Sequence, residues 1–388
     1  MDDFDASEPR YFLGQDVTIQ MISNPHDGNK QLHCLTRGNA LYAVPEPMTR
    51  LLSTLPATRR ELMDSASRLF QVQDKSIAEA ISKLLDYLHK NGLVDTKAGP
   101  QGDISSTPPL SPGEELHGHV IESLISERRS VRIYTAKNKG SQRLVVLKTI
   151  RQERPDSDRL AEILRREYEV QTACPPHTCI ASNLGFFPDP PTLAIEYADG
   201  RSLRHVATQR FPDPRIRLDL CLGAIQAIAH LHTHEVVHGD AHVSNFLGTD
   251  DGQVKLIDFD LSRRHPGDCF SAHGRHGGVP HFIPPERASE SSFALSSRAP
   301  DFRGDVYQVG GVMYYVLYGK MPFEGFTWSE LRRKMSTGLI ALPPVGMDGL
   351  QINESVQGLL ARCLAPNPDN RPKNANVIMA EWHACVSE

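Results

Sequence analysis

The stretch His238-Gly239-Asp240-Ala241-His242-Val243-Ser244-Asn245, followed thirteen residues after Asn245 by Asp258-Phe259-Asp260, constrains this chain more than any other feature. An apolar run precedes each polar cluster: Val236-Val237 before the first, and Val254-Lys255-Leu256-Ile257 before the second. Both runs read as short buried strands, which would fix Asp240, Asn245 and Asp258 on a rigid base. A lone acid-aromatic pair would mean little, because a motif counts only when its structural context agrees.

These residue types suit one chemistry. Moving a phosphoryl group requires something to orient the attacking hydroxyl, and hard oxygen ligands to hold a divalent ion against the phosphates. Asp240 can do the first, while Asn245 and Asp258 suit Mg2+, which needs only one or two protein ligands beside phosphates and water. Taken singly, Asn245 is a turn former and Asp258 a cap.

The order of motifs from about Leu116 to Glu388 resembles a eukaryotic-type protein kinase domain, over roughly seventy per cent of the sequence. Leu144-Val145-Val146-Leu147-Lys148 is similar to the strand carrying the phosphate-binding lysine, which nominates Lys148 to contact ATP. The apolar spacing of Leu160, Ile163, Leu164 and Tyr168 predicts a helix over Asp158 to Gln171, with Glu167 as ion-pair partner of Lys148 and Glu169 as the fallback. Leu193 to Gly200 resembles the connector between lobes, where backbone groups near Glu196 and Ala198 would bind adenine, with Ile195 as gatekeeper. Phe282-Ile283-Pro284-Pro285-Glu286 resembles the end of the activation segment, and Arg371 is the arginine such a glutamate pairs with. Asp305 to Gly319 looks like the central helix of the lower lobe, stopped by Gly319. His238 and Phe259 are assigned to packing behind the site.

Departures from the family pattern are as informative. Where a glycine-rich loop belongs, the chain has Ser126-Glu127-Arg128-Arg129-Ser130-Val131-Arg132-Ile133, with no glycine. Glycines there let backbone amides approach phosphates. Arg128, Arg129 and Arg132 are candidates to bind phosphate with side chains instead, or else are solvated charges on a hairpin. Gly239 replaces an arginine that reads activation-loop phosphates. His242 stands where a lysine steadies the transferred group, and is placed with the catalytic residues. Asp260 replaces the glycine of DFG, and Val279 the threonine that helps recognise hydroxyl substrates. The HGDxxxxN form is similar to bacterial small-molecule kinases and lanthipeptide-synthetase kinase domains, which keeps non-protein acceptors open. A non-catalytic scaffold is the other alternative, although Lys148, Asp240, Asn245 and Asp258 are all present.

The first hundred residues are different in kind. Strand-like pieces at Asp16 to Ser23 and Gln31 to Pro45 flank His26-Asp27-Gly28-Asn29, a hairpin signal. Thr58-Arg59-Arg60-Glu61 is a capping box, and Ile77, Ala80, Ile81, Leu84, Leu85 and Leu88 form a helical apolar stripe. The pattern suggests a winged-helix-like module and resembles PqqD-like peptide-recognition domains, which take up the leader of a ribosomal precursor peptide as an added strand. That resemblance implies a precursor-peptide substrate, and a separate lyase partner to eliminate the phosphate. Residues 98–115, rich in Pro, Gly and Ser, read as a linker.

The predicted architecture is therefore α+β: a winged-helix-like domain over 1–97, a linker over 98–115, and a bilobal kinase-like domain over 116–388 using ATP and Mg2+. A net charge of -5, with no Lys/Arg block, argues against nucleic acid as a partner. No apolar run reaches the ~18 residues of a spanning helix, the acidic start is unlike a signal peptide, and seven cysteines without a CxxC pair suggest reduced thiols, so the expectation is no membrane and a cytoplasmic location. Cys174, His177 and Cys179 are expected to pack rather than bind zinc.

Overall fold

The computed structural model describes residues 10–13, 17–24, 27–37 and 40–43, short pieces between 52 and 95, and then 108–127, 131–151, 157–264, 279–288, 301–324 and 328–387. The stripe from Ile77 to Leu88, the linker residues 98–107, Arg128 and Arg129 lie outside them. The chain divides into two compact units, 1–106 and 107–388.

In the first unit, β1 (Arg10–Leu13), β2 (Val17–Asn24), β3 (Asp27–Arg37), β4 (Ala40–Ala43), β5 (Ala57–Thr58) and β6 (Val94–Asp95) form two antiparallel sheets, ordered β5-β1-β6 and β2-β3-β4. The hairpin expected at His26-Asp27-Gly28-Asn29 forms between β2 and β3, with its turn bounds corrected: Asp27 already pairs with Asn24, so Asp27, Gly28 and Asn29 belong to the strand. The single run expected from Gln31 to Pro45 is two strands, β3 and β4. Thr58 and Glu61 make the reciprocal capping pair, with the Thr58 amide 2.8 Å from Glu61 Oε2 and the Glu61 amide 3.2 Å from Thr58 Oγ1.

The second unit opens with a six-stranded antiparallel sheet built from β7 (Glu115–Leu116), β8 (His119–Glu127), β9 (Val131–Asn138), β10 (Leu144–Ile150), β11 (Asn183–Pro188) and β12 (Pro191–Glu196), in the order β11-β12-β10-β9-β8-β7. The period of two along β10 sends Val145 and Leu147 to one face, where they pack with Ile121, Tyr134, Ala136 and Ala194. Lys148 therefore lies on the opposite face, the side of α1 (Ser157–Thr172). On that face Leu160 and Leu164 of the helix bury against Ile150 and Leu193.

The end of the expected linker is part of this unit. Leu110 packs on the outer sheet face and its amide donates to the Tyr134 hydroxyl at 3.2 Å, while Gly113 donates to the Ile121 carbonyl.

The lower lobe contains α2 (Leu203–Val206), α3 (Ile216–Thr233), α4 (Phe302–Tyr318), α5 (Trp328–Thr337), α6 (Glu354–Cys363) and α7 (Ala375–Ser387). Helix α4 is buried on every side from Gly304 to Tyr318, and each fully buried aliphatic side chain there is worth about 1.5–3 kcal/mol. It begins three residues before the expected Asp305, because the Asp301 side chain caps the Gly304 amide at 2.8 Å; Gly319 ends it at φ 67°. At Gly310 an added Cβ would meet the Cys363 Cβ at 2.7 Å, so glycine lets α4 and α6 approach closely. Short strands β13 (Arg201–Ser202), β14 (Val236–Val237), β15 (Phe246–Gly248), β16 (Val254–Leu256) and β17 (Arg263–Arg264) pair as β13-β15-β16 and β14-β17. These strands carry the two polar loops on the helical core.

Candidate active site

Residues 238–245 connect β14 to β15, and residues 257–262 leave β16 toward β17. Because β15 and β16 are hydrogen-bonded neighbours, with Phe246 opposite Leu256, the loops they carry meet. The Ile257 amide donates to the Asn245 carbonyl at 2.8 Å, which sets Asp258 beside Asn245. Asp258 adopts φ 69°, an uncommon left-handed conformation for a non-glycine residue and one that clusters at functional sites.

Lys148 reaches this place from the sheet above. Its ammonium donates to Glu167 at 2.8 and 3.0 Å and to Asp258 Oδ1 at 2.8 Å. Burial works against the ammonium, but the charges of Asp258, Glu167 and Asp260 overcome it and hold the Lys148 pKa above its ordinary value. Glu167 is only 3% exposed and also accepts from the Phe259 amide at 3.3 Å. The fallback, Glu169, instead pairs with Arg165 on the exposed side of the helix.

The first loop is held from below by α4. Asp305, fully buried, accepts from the His238 amide at 2.7 Å, the Gly239 amide at 2.8 Å and His232 Nε2 at 3.0 Å. The Asp240 amide donates to His238 Nδ1 at 3.3 Å, and Asn245 Nδ2 donates to the Asp240 carbonyl at 3.0 Å. That bond commits Nδ2, which leaves Oδ1 as the Asn245 atom that could meet a metal ion. Burial, with the Asp260 and Asp258 charges, pushes the Asp240 carboxyl up to about 8. His242 Nδ1 accepts from the Ser244 amide at 3.2 Å, so the neutral ring carries its proton on Nε2, which lies 3.6 Å from Asp240 Oδ2. His242 is thus turned toward Asp240.

Residues 125–383 match the family described as protein kinase domain. This chain belongs to the protein kinase family. It is 24% identical to the serine/threonine-protein kinase pkn3 of Myxococcus xanthus, over 69% of this chain and 50% of that protein. To Aurora kinase A-B of Xenopus laevis it is 28% identical, over 64% of this chain and 58% of that protein. To the inactive serine/threonine-protein kinase PLK5 of Mus musculus it is 29% identical, over 49% and 30%. The chain spans between 30% and 58% of the length of these relatives. One of the three is named inactive, so the local chemistry, not kinship, bears on turnover.

The hairpin and the connector take a form that differs from the sequence expectation, whereas the Glu286–Arg371 pair and the packing of Cys174 and Cys179 follow it. Arg132 does not point at a phosphate site: its side chain is buried, and its Nε lies 2.9 Å from Glu127 across the hairpin where the glycine-rich loop would be. Strand register causes this, since Glu127 and Arg132 are direct partners. At the connector, the Glu196 amide is taken by the Ser182 carbonyl at 2.8 Å, and its carboxylate binds Lys255 at 2.6 Å. Ala198 follows beyond the strand end, half-buried. Ile195 lies in β12 opposite Val146 of β10. Glu286 and Arg371 form a two-pronged pair with both distances 2.8 Å. Cys174 and Cys179 are buried in the lower-lobe core, and His177 stacks on His230 at 4.5 Å.

Sequence reasoning missed Asp305, Gln308, Arg287 and Lys255. Asp305 and Gln308 carried one signal, polar side chains inside an otherwise apolar helix; Lys255 and Arg287 carried none.

The donor set suits Mg2+. Asn245 and Asp258 present hard oxygens at the junction of two loops, beside the lysine that would meet phosphate. Among the described residues no group of three or more His, Cys, Asp or Glu side chains is arranged to hold a metal. An ion held by two protein ligands and completed by phosphate oxygens is the arrangement that fits. No helix among the described residues is long and apolar enough to cross a membrane.

Proposed function

We propose that this chain is a serine/threonine protein kinase that transfers the γ-phosphoryl group of MgATP to a hydroxyl of a peptide or protein. The observation that carries the reading is the Lys148 ammonium, bound at once by Glu167 of the upper lobe and Asp258 of the lower lobe. Two carboxylates converge on one lysine to hold it for phosphate, an arrangement costly to build for stability alone. Asp240 orients the acceptor hydroxyl and takes its proton, with His242 Nε2–H facing its carboxylate. Lys148 aligns the α- and β-phosphates, while the connector near Glu196 and Ala198 holds adenine by its backbone. Asn245 and Asp258 would hold a magnesium ion, whose positive charge would neutralise the phosphates and draw the Asp240 pKa down.

The acceptor is proposed to be a peptide captured by the first unit. Its support is the resemblance of residues 1–97 to PqqD-like domains, together with the eight-residue β2 at the edge of its sheet, to which a leader segment can add as a strand. Phosphorylation makes the Ser or Thr oxygen a leaving group for a separate lyase. Such chemistry fits the cytoplasm, where ATP and precursor peptides are made.

The test of this reading is incubation of the intact chain with labelled MgATP and a pool of Ser- and Thr-containing leader–core peptides. Label on the core hydroxyls, lost when the leader is removed, supports both steps. Label on free small molecules and on no peptide would replace the peptide acceptor with a small one.

A further inference from the structure

We infer that Arg287 is a positioning residue for Asp240, reaching from the end of the activation segment to hold the peptide group on which the Asp240 side chain turns. The inference rests on the kinase reading and adds to it a residue that the family motifs do not name.

The catalytic loop has a soft point. Gly239, immediately before Asp240, adopts φ 79°, and a glycine there leaves the following peptide group free to rotate unless something outside holds it. Arg287, in the short helical turn Pro285–Arg287, donates from Nη1 to the Gly239 carbonyl at 3.1 Å. Gln308 of α4 donates to the same oxygen at 3.3 Å and accepts from the Ala241 amide at 3.0 Å. On the other side of that peptide, the Asp240 amide is held by His238. The carbonyl is thus gripped by two side chains, one of which lies in the Pro285–Arg287 turn.

Arg287 is an expensive way to fill this space. It is 6% exposed, its Nε is buried without a hydrogen-bond partner among the described residues, and burial lowers its pKa against the pull of the Asp305, Asp240 and Glu286 charges. A packing role alone would be met by Leu or Met without an orphaned donor. A guanidinium that stays buried beside Asp240 and grips the neighbouring carbonyl ties the Pro285–Arg287 turn to the direction of the base.

The experiment uses the full chain, labelled MgATP and a mixed Ser/Thr peptide pool. Arg287→Met and Arg287→Gln are each made with Asp240 intact and in an Asp240→Asn background, and MgATP affinity is followed by calorimetry. The expected result is a kcat lower by about 10- to 100-fold, as for a misplaced catalytic group, with nucleotide Kd and KM within about twofold. Arg287→Lys recovers most of the loss. In the Asp240→Asn background the same changes cost less than about twofold more, because the residue they position is already gone. Equal losses in both backgrounds, or a kcat within about threefold of wild type, would overturn the inference. Should Arg287→Met lose nucleotide binding through misfolding, Arg287→Gln, which keeps a donor, decides by the same comparison. A wild-type chain that transfers no phosphate refutes the kinase reading itself, which is distinct from an active wild type indifferent to Arg287.

Discussion

The Lys148 ammonium lies 2.8 Å from Asp258 Oδ1, a contact between residues 110 positions apart that ties the upper sheet to the lower-lobe loop. With Glu167 on its other side, Lys148 is the cation that lets two carboxylates approach in a poorly hydrated place. Removing it leaves them facing each other.

Lys148→Met is therefore expected to lower both turnover and stability. The stability loss is about 2–4 kcal/mol, below the full range for a broken buried pair because the Asp258 side chain is 33% exposed. Urea unfolding of the ligand-free chain measures it. A more stable variant would mean that the three charges do not share one site.

The Glu286–Arg371 pair anchors the end of the activation segment to the core, with Arg371 also stacked 4.8 Å over the Tyr307 ring. Arg371→Leu takes the paired guanidinium away from a buried carboxylate and is expected to cost about 3–5 kcal/mol. Arg371→Lys keeps the charge but loses the planar fork, so it recovers only part of that cost. Thermal melts of the two variants should rank in that order below wild type.

Asp240 supplies a pH signature. Its folded-state carboxyl, raised to about 8 by burial and the Asp260 and Asp258 charges, keeps its proton where the unfolded chain has already lost it. The unfolded chain therefore binds fewer protons between about pH 4 and pH 8, and stability falls as pH rises through that window. Asp240→Asn removes the effect. In chelator, the variant is expected to melt above wild type at pH 8, with the gap closing toward pH 4 to 5. A variant that melted below wild type at pH 8 would show a depressed, well-paired carboxylate instead.

The motif residues were legible because each sits in a short local pattern. The apolar spacing of the first helix placed it, the kinase resemblance nominated Glu167 ahead of Glu169 as partner of Lys148, and the strand-loop-strand runs around Asn245 and Asp258 placed both loops. What escaped depends on register and burial, which no local pattern encodes. Arg132 was open as a phosphate ligand until the pairing of β8 with β9 set it opposite Glu127. The Asp-Gly signal found the first hairpin but placed its turn too far along, because β3 already includes both residues. Asp305 and Arg287 gain their roles from folding back on residues some sixty-six and forty-eight positions earlier, as their bonds to Gly239 show.

The glycine-free hairpin yields a further outcome. Since Arg132 is committed to Glu127, Arg132→Ala is expected to leave the KM for ATP within about threefold of wild type while lowering stability by about 1 kcal/mol, the scale of a partly exposed ion pair. Steady-state kinetics across ATP concentrations check it. A tenfold or greater rise in KM would restore Arg132 as a phosphate ligand.

The most direct test of the central claim is transfer from labelled MgATP by the intact chain, set beside Asp258→Ala and Asp240→Asn. Wild type is expected to transfer, each variant to lose at least about 10²-fold, and Asp240→Asn to retain nucleotide binding. Wild-type chain that neither binds MgATP nor labels any acceptor, or variants that label as well as wild type, would contradict it.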